Sequence, residues 1–148
     1  MSTHSQRIIS MQTLIAGSIL SSSSSVGKII KEFNEVTQAS KIRRTDRKQL
    51  LQVLHSTRAL DTSLKELIKL HGIKVKAQAL GSYLYGFTNH TITGLAKLPA
   101  NRRDHYQKKI VDIRNRYLHT SGAYPANNTE IQNLLSEMHN CLIDILNL

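Results

Sequence analysis

Apolar residues recur every three or four positions along most of this chain and almost nowhere alternate, which is the signature of amphipathic helices packed on one another. Ile8, Met11, Leu14, Ile15 and Ile19 form a first such face, and Val26, Ile29, Ile30, Phe33 and Val36 a second. The longest stripe runs through Leu50, Val53, Leu54, Thr57, Leu60, Leu64, Leu67, Ile68 and His71, and Gly72 supplies its stop. Tyr106, Ile110, Ile113 and Tyr117 make a further face, with Val111 and Leu118 beside it. The last comprises Ile131, Leu134, Leu135, Met138, Leu142 and Ile145. Seven glycines and two prolines are too few for a turn-rich sandwich or barrel. The expected fold is all-α, a bundle of four to six helices, and 148 residues suffice for one domain with a core of its own.

Punctuation between the stripes fixes the expected boundaries. Five serines at 21–25 cannot build a core and read as a joint or a run of helix caps, so 1–25 is an N-terminal helix plus a serine-rich joint. Thr45 is a candidate N-cap, with Asp46 in the first turn behind it. "SLKE" at 63–66 has the form of a capping box, which would break the long element near Asp61 into two helices. "NNTE" at 127–130 has the same kind of cap pattern before the final stripe. Residues 80–94, with three aromatics and three glycines, fit a short helix or a packed loop better than an unpartnered strand.

Twenty Lys and Arg against ten Asp and Glu give a net charge of +10, an excess that suits a polyanionic partner, nucleic acid first. "MQTLIAGSIL" (11–20) is interrupted by polar residues and falls short of the ~20 apolar residues of a membrane span. The same interruptions spoil it as the apolar core of an export signal. One cysteine, Cys141, leaves no internal disulfide, which accords with a reducing cytoplasm. No His-Glu-x-x-His and no Cys/His cluster marks a metal site, and no cofactor motif is present; "SSVGKI" lacks the glycine and hydroxyl of a P-loop.

"DIRNRYLHTSG" (112–122) breaks the pattern it sits in. With Ile110 at zero on an ideal wheel of about 100° per residue, Arg114 lands at about 40°, inside the apolar arc. A guanidinium there needs an anion, a hydrogen-bonded pocket or an interface, because leaving it buried and unpaired costs several kcal/mol. Asn115 falls at about 140° and His119 at about 180° on the same wheel, so Arg114 and His119 do not share a face of a straight helix. They meet only if the helix ends or bends near Leu118, or if two copies of the chain bring their motifs together. A snorkelling arginine and a helix-end histidine would also account for the same residues.

Arg114, Asn115 and His119, in "RNRYLH" late in a small helical bundle and ahead of one last amphipathic helix, resemble the R-x(4–6)-H motif of the HEPN family. The similarity rests on the stretch of roughly 101–146, and on helical class before it. It implies a metal-independent endoribonuclease that dimerises so that both motifs line one cleft, as in toxins and anti-phage defence effectors. A neutralising antitoxin or regulatory protein is a partner such effectors can have. Two positions after the histidine, where many toxin members carry tyrosine, this chain has Ser121. The residue types suit the chemistry: histidine exchanges protons near neutrality and arginine grips a phosphate with two hydrogen bonds. Arg102, Arg103, Lys108, Lys109 and Arg116 are candidate RNA contacts along the same helix, with Tyr124 a candidate stacking residue. "KIRRTDRK" (41–48), Lys74 and Lys76 are further basic segments that could track RNA. The alternative is a non-catalytic helical dimer that binds RNA or protein and keeps the motif for its interface. No pair of short helices joined by a tight glycine turn supports a helix-turn-helix DNA binder.

Overall fold

A computed structural model describes residues 3–148 and is helical throughout, with no strand among them. In chain order the helices are α1 (Thr3–Ala16), α2 (Val26–Ala39), α3 (Thr45–His71), α4 (Leu80–Asn89), α5 (Ala100–Tyr106), α6 (Asp112–His119) and α7 (Asn128–Leu146). A π-helical turn, Gln107–Val111, joins α5 to α6 in one rod, and a 3-10 turn, Ile19–Ser22, follows α1. The all-α bundle expected from the stripes is therefore the observed architecture. None of its described helices is long and apolar enough to cross a membrane.

The central element is α3, 27 residues without a break. Val53, Ala59, Leu60, Leu64, Leu67 and Ile68 are buried along it, and so are Gln49, Gln52, Ser56, Thr57 and Ser63. The buried hydroxyls are satisfied locally: Thr57 donates to Val53 O at 2.7 Å and Ser63 to Ala59 O at 2.7 Å. Small, self-satisfied side chains let neighbouring helices approach closely, while the larger Gln52 leaves its Oε1 buried without a partner. Gly72, with φ of 70°, ends the helix; its N–H and that of Ile73 return to the carbonyls of the last turn.

Two expectations fail here for one reason. The capping box at 63–66 is not formed, and α3 does not break at Asp61. Glu66, its acidic member, instead accepts from Ser23 at 2.9 Å and Ser25 at 3.3 Å. The serine run is thus an ordered joint pinned to α3, in which Ser18 caps the 3-10 turn through Leu20 N–H. Thr45 is the first residue of α3 and not its cap; Arg44 holds that position and pairs with Asp46 at 2.7 Å. Asn127 does cap α7, accepting from Glu130 N–H at 3.1 Å.

Around α3 the other helices are fastened by specific polar pairs over one continuous apolar core. On α2, Glu32 meets His55 at 2.9 Å and Arg58 at 2.8 Å. Helix α1 packs on α2 and α7 through Ile8, Met11 and Ile15, so it belongs to the bundle. The Arg7 guanidinium donates to His139 Nδ1 at 3.1 Å across the α1–α7 seam. On the far side, the α5 residue Arg102 and Tyr106 both bond Asp144 of α7, and His105 meets Glu137 at 2.6 Å. Residues 80–94 contain α4, which lies against α3 and the α5–α6 rod. Its Gly86 is a close-approach position, because a Cβ there would stand 2.9 Å from Val75 Cγ1 and 3.2 Å from Ile68 Cδ1.

Replacing Gly86 with Val should therefore destabilise the fold by about 1–3 kcal/mol through overpacking, read as a lowered urea midpoint at unchanged m-value. A second expectation concerns acid. Burial, then the neighbouring Arg7 charge, lower the His139 pKa below its ordinary 6.5, and Nδ1 must stay unprotonated to accept from Arg7. A lowered folded pKa gives stability that is present above pH ~6.5 and lost as pH falls through the folded value. Thermal midpoints measured between pH 7.5 and 5 should fall, and His139→Gln should flatten that fall.

Candidate functional site

The rod that carries the motif owes its geometry to the π turn. Asp112 N–H bonds back to Gln107 O, one residue further than in an α-helix, so an extra residue enters the turn. Gln107 also donates from its side chain to Asp112 Oδ1 at 3.0 Å, which fixes the widened turn from outside. Both Ile110 and Val111 are buried across it, and Tyr117 is buried one face further on. The Tyr117 hydroxyl donates to Glu130 Oε2 at 2.6 Å, tying α6 to the first turn of α7. Tyr117 is thus a core residue.

Helix α6 ends at His119: Thr120 is extended, and Gly122 turns the chain with φ of 78°. The expected helix terminus within a turn of Leu118 is present. Gln49 of α3 holds the loop that follows; with its amide oriented to match donor to acceptor, it donates to Pro125 O and accepts from Asn128 N–H, both at 3.1 Å.

Arg114 is partly buried on the side of α6 that faces α3, and its Nε is fully buried with no hydrogen-bond partner. No described residue forms an ion pair with it. Asp61, partly buried on α3, is the carboxylate whose field it feels. Burial pushes the Asp61 carboxyl above its ordinary range, and the Arg114 and Lys65 charges pull it part of the way back. Tyr83 of α4 also senses Asp61: its phenol is raised by burial first and by that carboxylate second. The arginine that the wheel placed among apolar residues thus lies partly buried, close enough to α3 for its charge to act on Asp61, with its Nε unsatisfied.

The other predicted residues sit differently. Asn115, Arg116 and His119 are exposed, and His119 makes no hydrogen bond to a described residue. Within one chain nothing ties His119 to Arg114. Arg116 stacks over the Tyr117 ring at 5.9 Å. Lys108 and Lys109 are exposed on the π turn, and Tyr124 is exposed in the loop before α7. Arg102 is engaged with Asp144 and with the Tyr106 hydroxyl, so it works as a tie between α5 and α7. Arg103 pairs with Asp104 at 3.1 Å and lies over the Tyr85 ring at 5.1 Å. Cys141 is fully buried, and burial drives its thiol pKa far up, so it is an inert core group.

Asp61, Lys65, Tyr83 and Tyr85 were not among the residues singled out from the sequence. Asp61 carried a usable signal: it lies between Leu60 and Leu64 on the longest stripe, where an acid is as misplaced as Arg114 is on its own. Among the described residues no three His, Cys, Asp or Glu side chains group as a metal site. Comparison with family models, curated proteins and solved structures returns no match to this chain.

Removing the Arg114 charge should push Asp61 further up. In Arg114→Gln the carboxyl should titrate at higher pH than in the parent, followed by the pH dependence of its carbon-13 resonance. A carboxyl whose folded pKa exceeds its ordinary 3.8 favours the fold at acid pH and loses that contribution as pH rises through the folded value. Asp61→Asn should accordingly remove the decline in stability that runs from the ordinary carboxyl range up to the raised folded value, read from urea midpoints across acid pH.

Proposed function

We propose that this chain is a metal-independent endoribonuclease in which Arg114 binds the scissile phosphate and His119 moves the proton of the neighbouring 2′-hydroxyl. The observation that carries the reading is the Arg114 guanidinium, held part-buried with an unsatisfied Nε. A cation kept this way at a cost of roughly 1–3 kcal/mol or more fits a site that completes its hydrogen bonds with an external anion. The net charge of +10 and the exposed lysines of the π turn fit a polyanionic substrate.

In the reaction, His119 takes the proton of the 2′-hydroxyl as its oxygen attacks phosphorus. The P–O5′ bond breaks as the 2′-O–P bond forms, and the departing 5′-oxygen takes a proton from water. The products are a 2′,3′-cyclic phosphate and a free 5′-hydroxyl, with no change of oxidation state. Arg114 stabilises the charge gathering on the equatorial oxygens, and Asn115 orients the phosphate or ribose. Arg114 and His119 lie about 140° apart on α6. The working site is therefore composite, with two copies of the chain facing each other across a cleft lined by both motifs. The resemblance of "RNRYLH" to HEPN ribonucleases supports the same arrangement and a role as a toxin or anti-phage effector acting in the cytoplasm, held in check by an antitoxin or regulatory protein.

The purified full chain should cut RNA in excess EDTA and leave 2′,3′-cyclic phosphate ends. His119→Ala should lower the rate by about 10²–10⁴-fold, and Arg114→Lys, which keeps the charge but not the planar fork, should also be impaired. Undiminished cutting by His119→Ala would rule the reading out. RNA binding without any cleavage would leave a non-catalytic binding module instead.

A further inference from the structure

A cavity lies outside the motif, between the segment that leaves α3 and the outer face of α4. It has a volume of about 530 Å³ and opens to solvent between Lys74, Lys76 and Tyr85, with Ser82 and Asn89 on its α4 wall. None of its lining residues is acidic, and neither lysine is ion-paired with any described residue. Tyr85 is 52% exposed, the most exposed large hydrophobic side chain of the described residues. Arg103 covers its ring from α5 at 5.1 Å, which fixes the ring plane and leaves the rest open. His90, at the floor, is buried with both ring nitrogens occupied, one on Ala96 O and one on Ile92 N–H, so it forms wall and takes no part in chemistry.

An open aromatic ring backed by a guanidinium that Asp104 pairs, with two unpaired ammonium groups and no carboxylate among the lining residues, matches one ligand class well. Bases stack on such rings whatever their sequence, and the phosphates beside them meet the lysines. We propose that this cleft is a single-stranded RNA subsite, in which Tyr85 stacks a base and Lys74 and Lys76 hold the adjoining phosphates. One wall of the cleft packs against the rod that carries Arg114. A Cβ on Gly81, in its wall, would stand 3.0 Å from Gln107 Oε1, and Gln107 opens the π turn roughly two helical turns ahead of Arg114. RNA seated here is thus anchored on the α4 side of the proposed cleavage site, and this assignment rests on that reading only for the purpose of the anchor.

The test separates the two. A fluorescein-labelled single-stranded octaribonucleotide of mixed sequence is titrated by anisotropy against the full-length His119→Ala chain, so that cleavage does not intrude. On that background Tyr85→Ala should weaken binding about tenfold and Tyr85→Phe should restore it, since the ring alone is needed. Lys74→Gln with Lys76→Gln should weaken binding and reduce the salt slope by about 1.4, two phosphate contacts at about 0.7 each. Circular dichroism checks that each variant is folded. If Tyr85→Ala and the lysine pair bind as tightly as their background, or the background does not bind, the subsite is overturned, whether or not the parent cleaves RNA. If binding depends on Tyr85 and the lysines but the parent never cleaves, the subsite stands and the nuclease reading falls. A poly-glutamate peptide that binds as tightly, with the same dependence on Tyr85, would make the cleft a docking site for an acidic protein segment and overturn the RNA assignment.

Discussion

Everything in this bundle is referred to one buried helix. Because α3 is enclosed along most of its length, its neighbours lie close to it, and close approach favours buried hydroxyls that ask nothing of them, although Gln52 Oε1 stays buried without a partner. Thr57 and Ser63 meet that condition by bonding carbonyls of their own helix, and Gly86 meets it from the opposite side by lacking a Cβ. The charged residues of α3 point into the seams: Glu66 to the serine joint, His55 and Arg58 to Glu32, Asp61 to Arg114. A break at Asp61 would have freed the carboxylate from that seam and left Glu66 to cap a second helix. The unbroken helix keeps both where the neighbouring elements use them.

The second constraint is the π turn. An inserted residue in a helix costs hydrogen-bond geometry and persists where surrounding contacts hold it. Here Gln107 braces Asp112 while α4 presses against the turn through Gly81. Its consequence is functional, because every side chain of α6 is rotated relative to those of α5. Arg102 and Tyr106 are turned to Asp144 of α7, whereas Arg114 is turned to α3. Two arginines on one rod therefore have opposite characters, one satisfied and one left with open donors.

Charge follows the same division. The basic residues of α5 are consumed by acids in sequence or across the α5–α7 seam, while those on the π turn and beside α4 remain unpaired. Of the basic segments seen in the sequence, Lys74 and Lys76 thus acquire more weight than Arg102, and they do so through Tyr85, an aromatic that helical spacing alone does not distinguish from core.

What the sequence determined by itself is the class of structure: helical periodicity, few breakers, the stop at Gly72, the cap at Asn127 and the end of α6 after His119 all follow from local rules. It also marked Arg114 as misplaced, since an arginine within an apolar arc is visible on any wheel. It did not determine which acids would cap and which would cross a seam, because Glu66 satisfies a capping pattern and a tertiary partner equally well and only packing chooses between them. Nor did it show the π turn, whose extra residue is held by contacts from α4, or the influence of the Arg114 charge on Asp61, whose positions lie 53 residues apart. Those were decided by tertiary structure, for the reason that a polar group settles according to what another element brings beside it, and that element is not a neighbour in the chain.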